Sequence, residues 1–162
     1  MLGGGYMAMI RVQDVANWFL QKEPMVQRKL QKLCYYAQAW HLAFTGEKLF
    51  PNDFEAWAHG PVCRELWNTF KDFGFNDIQQ NFYGDMPQIT NQTTLNVLDE
   101  VWRVYGAATA FALENNTHHE DPWIKARNGL PELAPSTTKM DNDLIRDYYR
   151  SFLTDFGEGC GE

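Results

Sequence analysis

The densest run of side chains able to bind a metal or move a proton is His118-His119-Glu120-Asp121. A small metal-dependent hydrolase could be built on His118, His119 and Glu120, with His41 as an added base. The spacing argues the other way. Adjacent histidines on a helix point to different faces, and the HExxH spacing that sets two imidazoles on one side is absent. Read locally, the run is a polar helix start with its acids near the positive end of the dipole. A Cys/His pair could draw on Cys34 or Cys63 with His41 or His59, but both cysteines fall at helix-core positions, where thiols are inert. His41 lies on an apolar stripe, the setting of a packed histidine with one hydrogen-bond partner. Ser136 and Ser151 sit in no GxSxG elbow, and no phosphate-binding glycine motif occurs. Adjacent Asp99-Glu100 reads as solvated helix acids. No catalytic residue, metal ligand or cofactor is assigned.

The chain that must position these groups has 162 residues, one domain's worth. Apolar residues make up 44%, enough for a core despite a mean hydropathy of -0.47. No apolar run approaches the ~18 residues of a membrane span. The opening MLGGGYMAM lacks a charged and an apolar signal region, so a cytoplasmic location is expected. The net charge of -7 leaves no broad basic footprint for phosphates. Only Arg28, Lys29 and Lys32 cluster, so a DNA-binding regulator is an alternative and nucleic acid is disfavoured as a partner for this chain alone. Three cysteines without a CxxC support neither a disulfide scaffold nor a thiolate zinc site.

Residues 1–10 read as a flexible leader, 11–156 as the domain, and 157–162 as a frayed tail. A short amphipathic helix is expected from Gln13 to Lys22. The second helix, Val26 to Thr45, is the strongest pattern: Val26, Leu30, Leu33, Cys34, Ala37, Trp40, His41 and Phe44 form one helical stripe. Gly46 stops it. Tyr35, Tyr36, Ala39, Leu42 and Ala43 make its other faces apolar too, so it is central or covered by a partner. Phe54 to Trp57 alternates like a strand, and Gly60-Pro61 is expected to open a third helix with Pro61 in its first turn. Further helices are expected at Thr93–Tyr105, from Thr109 through Leu113, at Asp121–Arg127 and after Asp141. The expected fold is mainly α: one domain of five to seven helices with at most a small β-hairpin.

Aromatic residues crowd one region: Tyr35, Tyr36, Trp40, Phe44, Trp57 and Trp67. Singly each is a core residue, and together they lean towards protein binding, because aromatics are enriched at interface hot spots.

The run from Lys29 to Val62 resembles the signature of the Panacea (SocA-like) antitoxin domain family. The matching residues are Lys29-Leu30, Lys32-Leu33, Tyr35-Tyr36-Ala37-Gln38, Trp40, Thr45-Gly46, Leu49-Phe50, Glu55-Ala56-Trp57 and Gly60-Pro61-Val62. Thr117-His118, Glu120 and Asp121-Pro122-Trp123 resemble a second family element, and the similarity spans roughly residues 12–152. Most of these positions, including Lys29, Leu30, Leu33, Tyr36, Gln38, Trp40, Trp57, Gly60, Pro61, Val62, Pro122 and Trp123, are expected to be scaffold. The resemblance implies a bacterial, often prophage-encoded antitoxin that neutralises a cognate protein toxin by direct binding. An adaptor role would add a protease or chaperone as partner, and a homo-oligomer stays open. No membrane partner is implied.

Arg28, Gln31, Lys32 and Tyr35 share one side of the second helix. They are expected to form an exposed basic-aromatic ridge that binds the toxin.

Overall fold

Helix α2 (Gln27–Thr45) is buried on every side from Leu30 to Ala39, and the other elements are arranged to cover it. The computed structural model describes residues 9–160, with side chains through Leu153. The expected leader thus lies almost wholly outside the described residues, as do the last two positions of the expected tail. Helix α1 (Val12–Leu20) precedes α2, and a hairpin of β1 (Glu55–Trp57) and β2 (Gly60–Val62) follows it. Then come α3 (Arg64–Phe70), a 3-10 turn at Lys71–Phe73, α4 (Gln92–Tyr105), α5 (Ala110–His118), α6 (Asp121–Arg127) and α7 (Asn142–Cys160). α7 makes the most extensive packing against α2, followed by α4, α5, α1 and β2. The fold is mainly α, with seven helices and one small two-stranded sheet among the described residues.

Local signals explain most helix ends. Gly46 closes α2 in the left-handed region at φ 79°, donating its N–H to the Leu42 carbonyl at 2.8 Å. Asn91 and Thr109 accept from backbone N–H groups two or three residues inside α4 and α5. Asp141 does the same for α7, taking the Asp143 N–H at 2.8 Å. α5 runs on past Leu113 to His118, further than its sequence pattern suggested.

The third helix does not start at Pro61. Gly60-Pro61-Val62 is instead the second strand of the hairpin, with Ala56 opposite Pro61 and Trp57 opposite Gly60. A two-stranded sheet has only edge strands, so the N–H that proline lacks is not needed there. α3 begins two residues later, at Arg64. Gly60 has φ 105°, and a Cβ on it would lie 2.6 Å from Lys32 Cε and 2.9 Å from Thr117 Oγ1. A glycine is required both by the backbone and by the close approach of α2 and α5.

Candidate functional site

The family-like residues of α2 turn out to be the fasteners of the fold. Gln38 donates to the Phe50 carbonyl at 2.9 Å and accepts from the Leu49 N–H at 2.6 Å. Gln31 grips Cys63 in the same way, accepting from its N–H at 2.8 Å and donating to its carbonyl at 3.1 Å. Lys29 donates to the Gly106 carbonyl at the end of α4, at 2.6 Å. Each side chain satisfies buried backbone groups that a loop would otherwise leave unpaired.

The expected ridge is therefore not on the surface. Gln31 is turned inward to hold the β2–α3 junction, and Lys32 runs beneath the hairpin against Gly60. Tyr35 packs edge-on against Phe54, Tyr36 and Tyr149. These three are buried, and only Arg28 stays half-exposed, its guanidinium over the ring of Phe75. The three-residue basic cluster dissolves for the same reason, with Lys29 and Lys32 drawn into the molecule. Helical spacing put the four side chains on one side, but it could not show that the hairpin and α5 cover that side.

Two ionisable groups are turned inward, Glu120 half-buried and Lys32 buried. Glu120, between α5 and α6, accepts from Tyr149 Oη at 2.7 Å and from Tyr36 Oη at 3.0 Å. Tyr149 also reaches Tyr35 Oη at 3.3 Å, and Tyr36 stacks on Tyr105 with centroids 4.0 Å apart. Burial pushes the Glu120 carboxyl up, and the two tyrosine hydroxyls pull only partly the other way. Lys32 has no hydrogen-bond or ion-pair partner among the described residues. Burial lowers its amine from 10.5 to about 8 against the opposing charge of Glu114. Glu114 itself faces His59 Nδ1 at 2.9 Å.

The sequence read Glu120 and Asp121 as dipole-facing acids at the start of α6. In the structure Glu120 occupies the cap position without capping, because its side chain turns inward to the tyrosines. His118 stacks on Trp123 at 4.1 Å and meets Glu132 through Nδ1 at 2.8 Å. His119 bonds the Asn115 carbonyl at 2.8 Å. His41 is at the far end of α2, tied to the Glu47 carbonyl at 2.7 Å. These residues do not converge, and no group of three His, Cys, Asp or Glu side chains is placed to hold a metal among the described residues. Cys34 and Cys63 are buried, and burial raises both thiols. Trp123 and Pro122 belong to the scaffold: the indole donates to the Trp57 carbonyl at 2.8 Å. Arg127, stacked on Trp123, binds the Ala56, Pro131 and Ala134 carbonyls.

What α2 leaves open is its other end. Past Ala39 its stripe emerges at Trp40 and Phe44, where side chains of α4 and α7 frame a groove of about 340 Å³. Val101, Val104 and Tyr105 form one wall and Phe152 the other. Val97, Val101 and Val104 make a second apolar line along α4 beside Leu98, Trp102 and Tyr105. That double line is the sequence signal for this surface. A second cavity, about 420 Å³, lies between His41, Thr45 and the Thr90–Thr94 segment.

These features define an all-helical scaffold around one central helix, with an open apolar groove and no convergent catalytic set among the described residues. The chain belongs to the antitoxin SocA-like, Panacea domain family, whose model matches residues 30–124, more than half of its length. No curated protein and no solved structure matches it. No helix among the described residues is long and apolar enough to cross a membrane.

Proposed function

We propose that this protein is an antitoxin that neutralises a cognate protein toxin by direct protein–protein binding. The observation that carries this reading is the family match over residues 30–124. The inward use of the chemically capable side chains supports it: Glu120 ties tyrosines, His118 stacks on Trp123, and the thiols of Cys34 and Cys63 are buried. It acts, on this reading, in a bacterial cytoplasm as one half of a toxin–antitoxin pair, with prophage carriage as one origin. Delivery of the bound toxin to a protease is a second way for the same contact to neutralise. An acidic chain also meets a basic toxin with favourable steering.

Co-expression with the neighbouring gene tests the reading. Expected is a neighbour that arrests growth alone and a culture that recovers when this chain is induced. A neighbour that is harmless alone, or that remains toxic beside this protein, removes the antitoxin assignment. Repeating the rescue in a strain lacking its cytoplasmic proteases separates steric neutralisation from delivery.

A further inference from the structure

We propose that the groove between the open end of α2, α4 and α7 is the docking site for a cationic, amphipathic helix of the toxin. The partner's identity rests on the antitoxin reading; the chemistry of the groove does not. Phe44, Val104 and Phe152 are 51%, 53% and 48% exposed, and all three line this one hollow. Scattered apolar side chains on a surface need no explanation, but a concave group of them does.

The polar atoms of the floor are already used. Trp40 Nε1 donates to Tyr105 Oη at 3.0 Å, and none of the buried polar atoms left unpartnered lines the groove. A small polar ligand would find only the Tyr105 hydroxyl proton and the paired Glu100 and Arg103 to bond there, whereas a set of aliphatic side chains would fill the apolar remainder. A second copy fits badly as well. A twofold contact sets the same patch against itself, and two hollows face to face leave a void where interfaces need packing. The occupant is therefore convex, and a helix presenting apolar residues at i, i+3 or i+4, and i+7 has that shape.

Charge selects the kind of helix. The two walls, α4 and α7, carry six acidic residues and three arginines in their sequences. At the rim Arg103 and Glu100 hold each other and cancel, so the acidic excess comes from the rest of the two helices and the chain. An acidic helix would be repelled by the chain's net -7 and a lysine-flanked one attracted.

The probe is a 15-residue leucine/lysine peptide with leucines at that spacing, followed through the Trp40 indole resonance. Expected is saturable binding that shifts Trp40, and binding at least tenfold weaker for a leucine/glutamate peptide of identical leucine spacing. Phe44→Ser with Val104→Ser should weaken the lysine peptide at least tenfold, and Phe44→Ser alone severalfold with melting unchanged. Phe111→Asp, at an exposed residue away from the groove, should bind as the parent does. Equal affinity for both peptides, or unchanged affinity in the groove variants, overturns the proposal. A parent dimer that Phe44→Ser makes monomeric overturns it in favour of a second copy. In cells, failure of the parent chain to neutralise its neighbour sinks the antitoxin reading, while the peptide result still decides the groove. Neutralisation by parent and groove variants alike leaves the antitoxin reading standing and removes the groove.

Discussion

Two ionisable side chains are turned inward, the half-buried Glu120 and the buried Lys32, and they are treated in opposite ways. Glu120 receives hydroxyl donors from Tyr36 on α2 and Tyr149 on α7. It therefore acts as a tie between three elements that are far apart in sequence. Lys32 lies under the hairpin with no hydrogen-bond or ion-pair partner among the described residues, and its aliphatic stem packs on Gly60. The contrast separates two reasons for a buried charge: one satisfies its surroundings, and the other is carried for its shape. It also moves the binding surface away from both, since neither group is offered to a partner.

The sharpest test of the tie is Glu120→Ala, which strands two buried hydroxyls at about 1–3 kcal/mol each. We expect urea denaturation to show a loss of roughly 3–5 kcal/mol. Glu120→Gln, which keeps an acceptor in place, should lose less than half as much. An equal loss in the two variants would mean that charge, not acceptance, is what the tyrosines need.

Lys32→Met should go the other way. Lowering an amine from 10.5 to about 8 corresponds to roughly 3 kcal/mol of destabilisation below pH 8, on the scale of 1.36 kcal/mol per pH unit. Methionine keeps the stem and removes the charge, so a gain of about 1–3 kcal/mol at pH 7 is expected. The sign carries over to pH. Between about 8 and 10 the unfolded chain holds the lysine proton that the folded chain has released, so stability rises with pH. Above 10 the unfolded tyrosines ionise first, because burial raises Tyr36 and Tyr149 in the fold, and the trend reverses. Denaturation of Lys32→Met across pH 7–10 should lack the rising limb. A rising limb of the parent's size would free Lys32 from the account.

Gly60→Ala joins a φ of 105° to a clash with the lysine stem and should destabilise by about 1–3 kcal/mol. Combined with Lys32→Ala, the steric part should be relieved and the backbone part remain, as a double-mutant cycle would read. The smallest effect is expected of Tyr105→Phe, which takes the acceptor from the half-buried Trp40 indole. About 1 kcal/mol should be lost, with the Trp40 resonance shifting.

How much could be read beforehand follows from how local each signal is. Gly46, Thr109 and Asp141 end or begin helices through contacts within four residues, and the chain itself declares them. The long stripe from Leu30 to Ala37 declares α2 as the central helix. Pro61 was misplaced because its strand is defined by pairing with Ala56, an interaction that a helix-start pattern imitates. Lys32 and Gln31 were misplaced because what covers them comes from the hairpin and α5. Glu120 was read against its neighbours in sequence, whereas its partners Tyr36 and Tyr149 are 84 and 29 residues away. The groove was legible only in part: the second apolar line of α4 marks one wall, but its closure by α2 and α7 is a property of no single helix.

The packing of α7 on α2 also has a consequence for how the chain is made. Tyr149 meets Tyr35 across 114 residues, and α7 is the element that covers α2 most. At about 5–20 residues per second, the ribosome needs roughly 6–23 s to supply that cover after α2 has emerged. During that interval the central helix of the molecule stands open to chaperones and proteases. The lifetime of each copy is thus exposed to selection during its synthesis, before the fold that protects it exists.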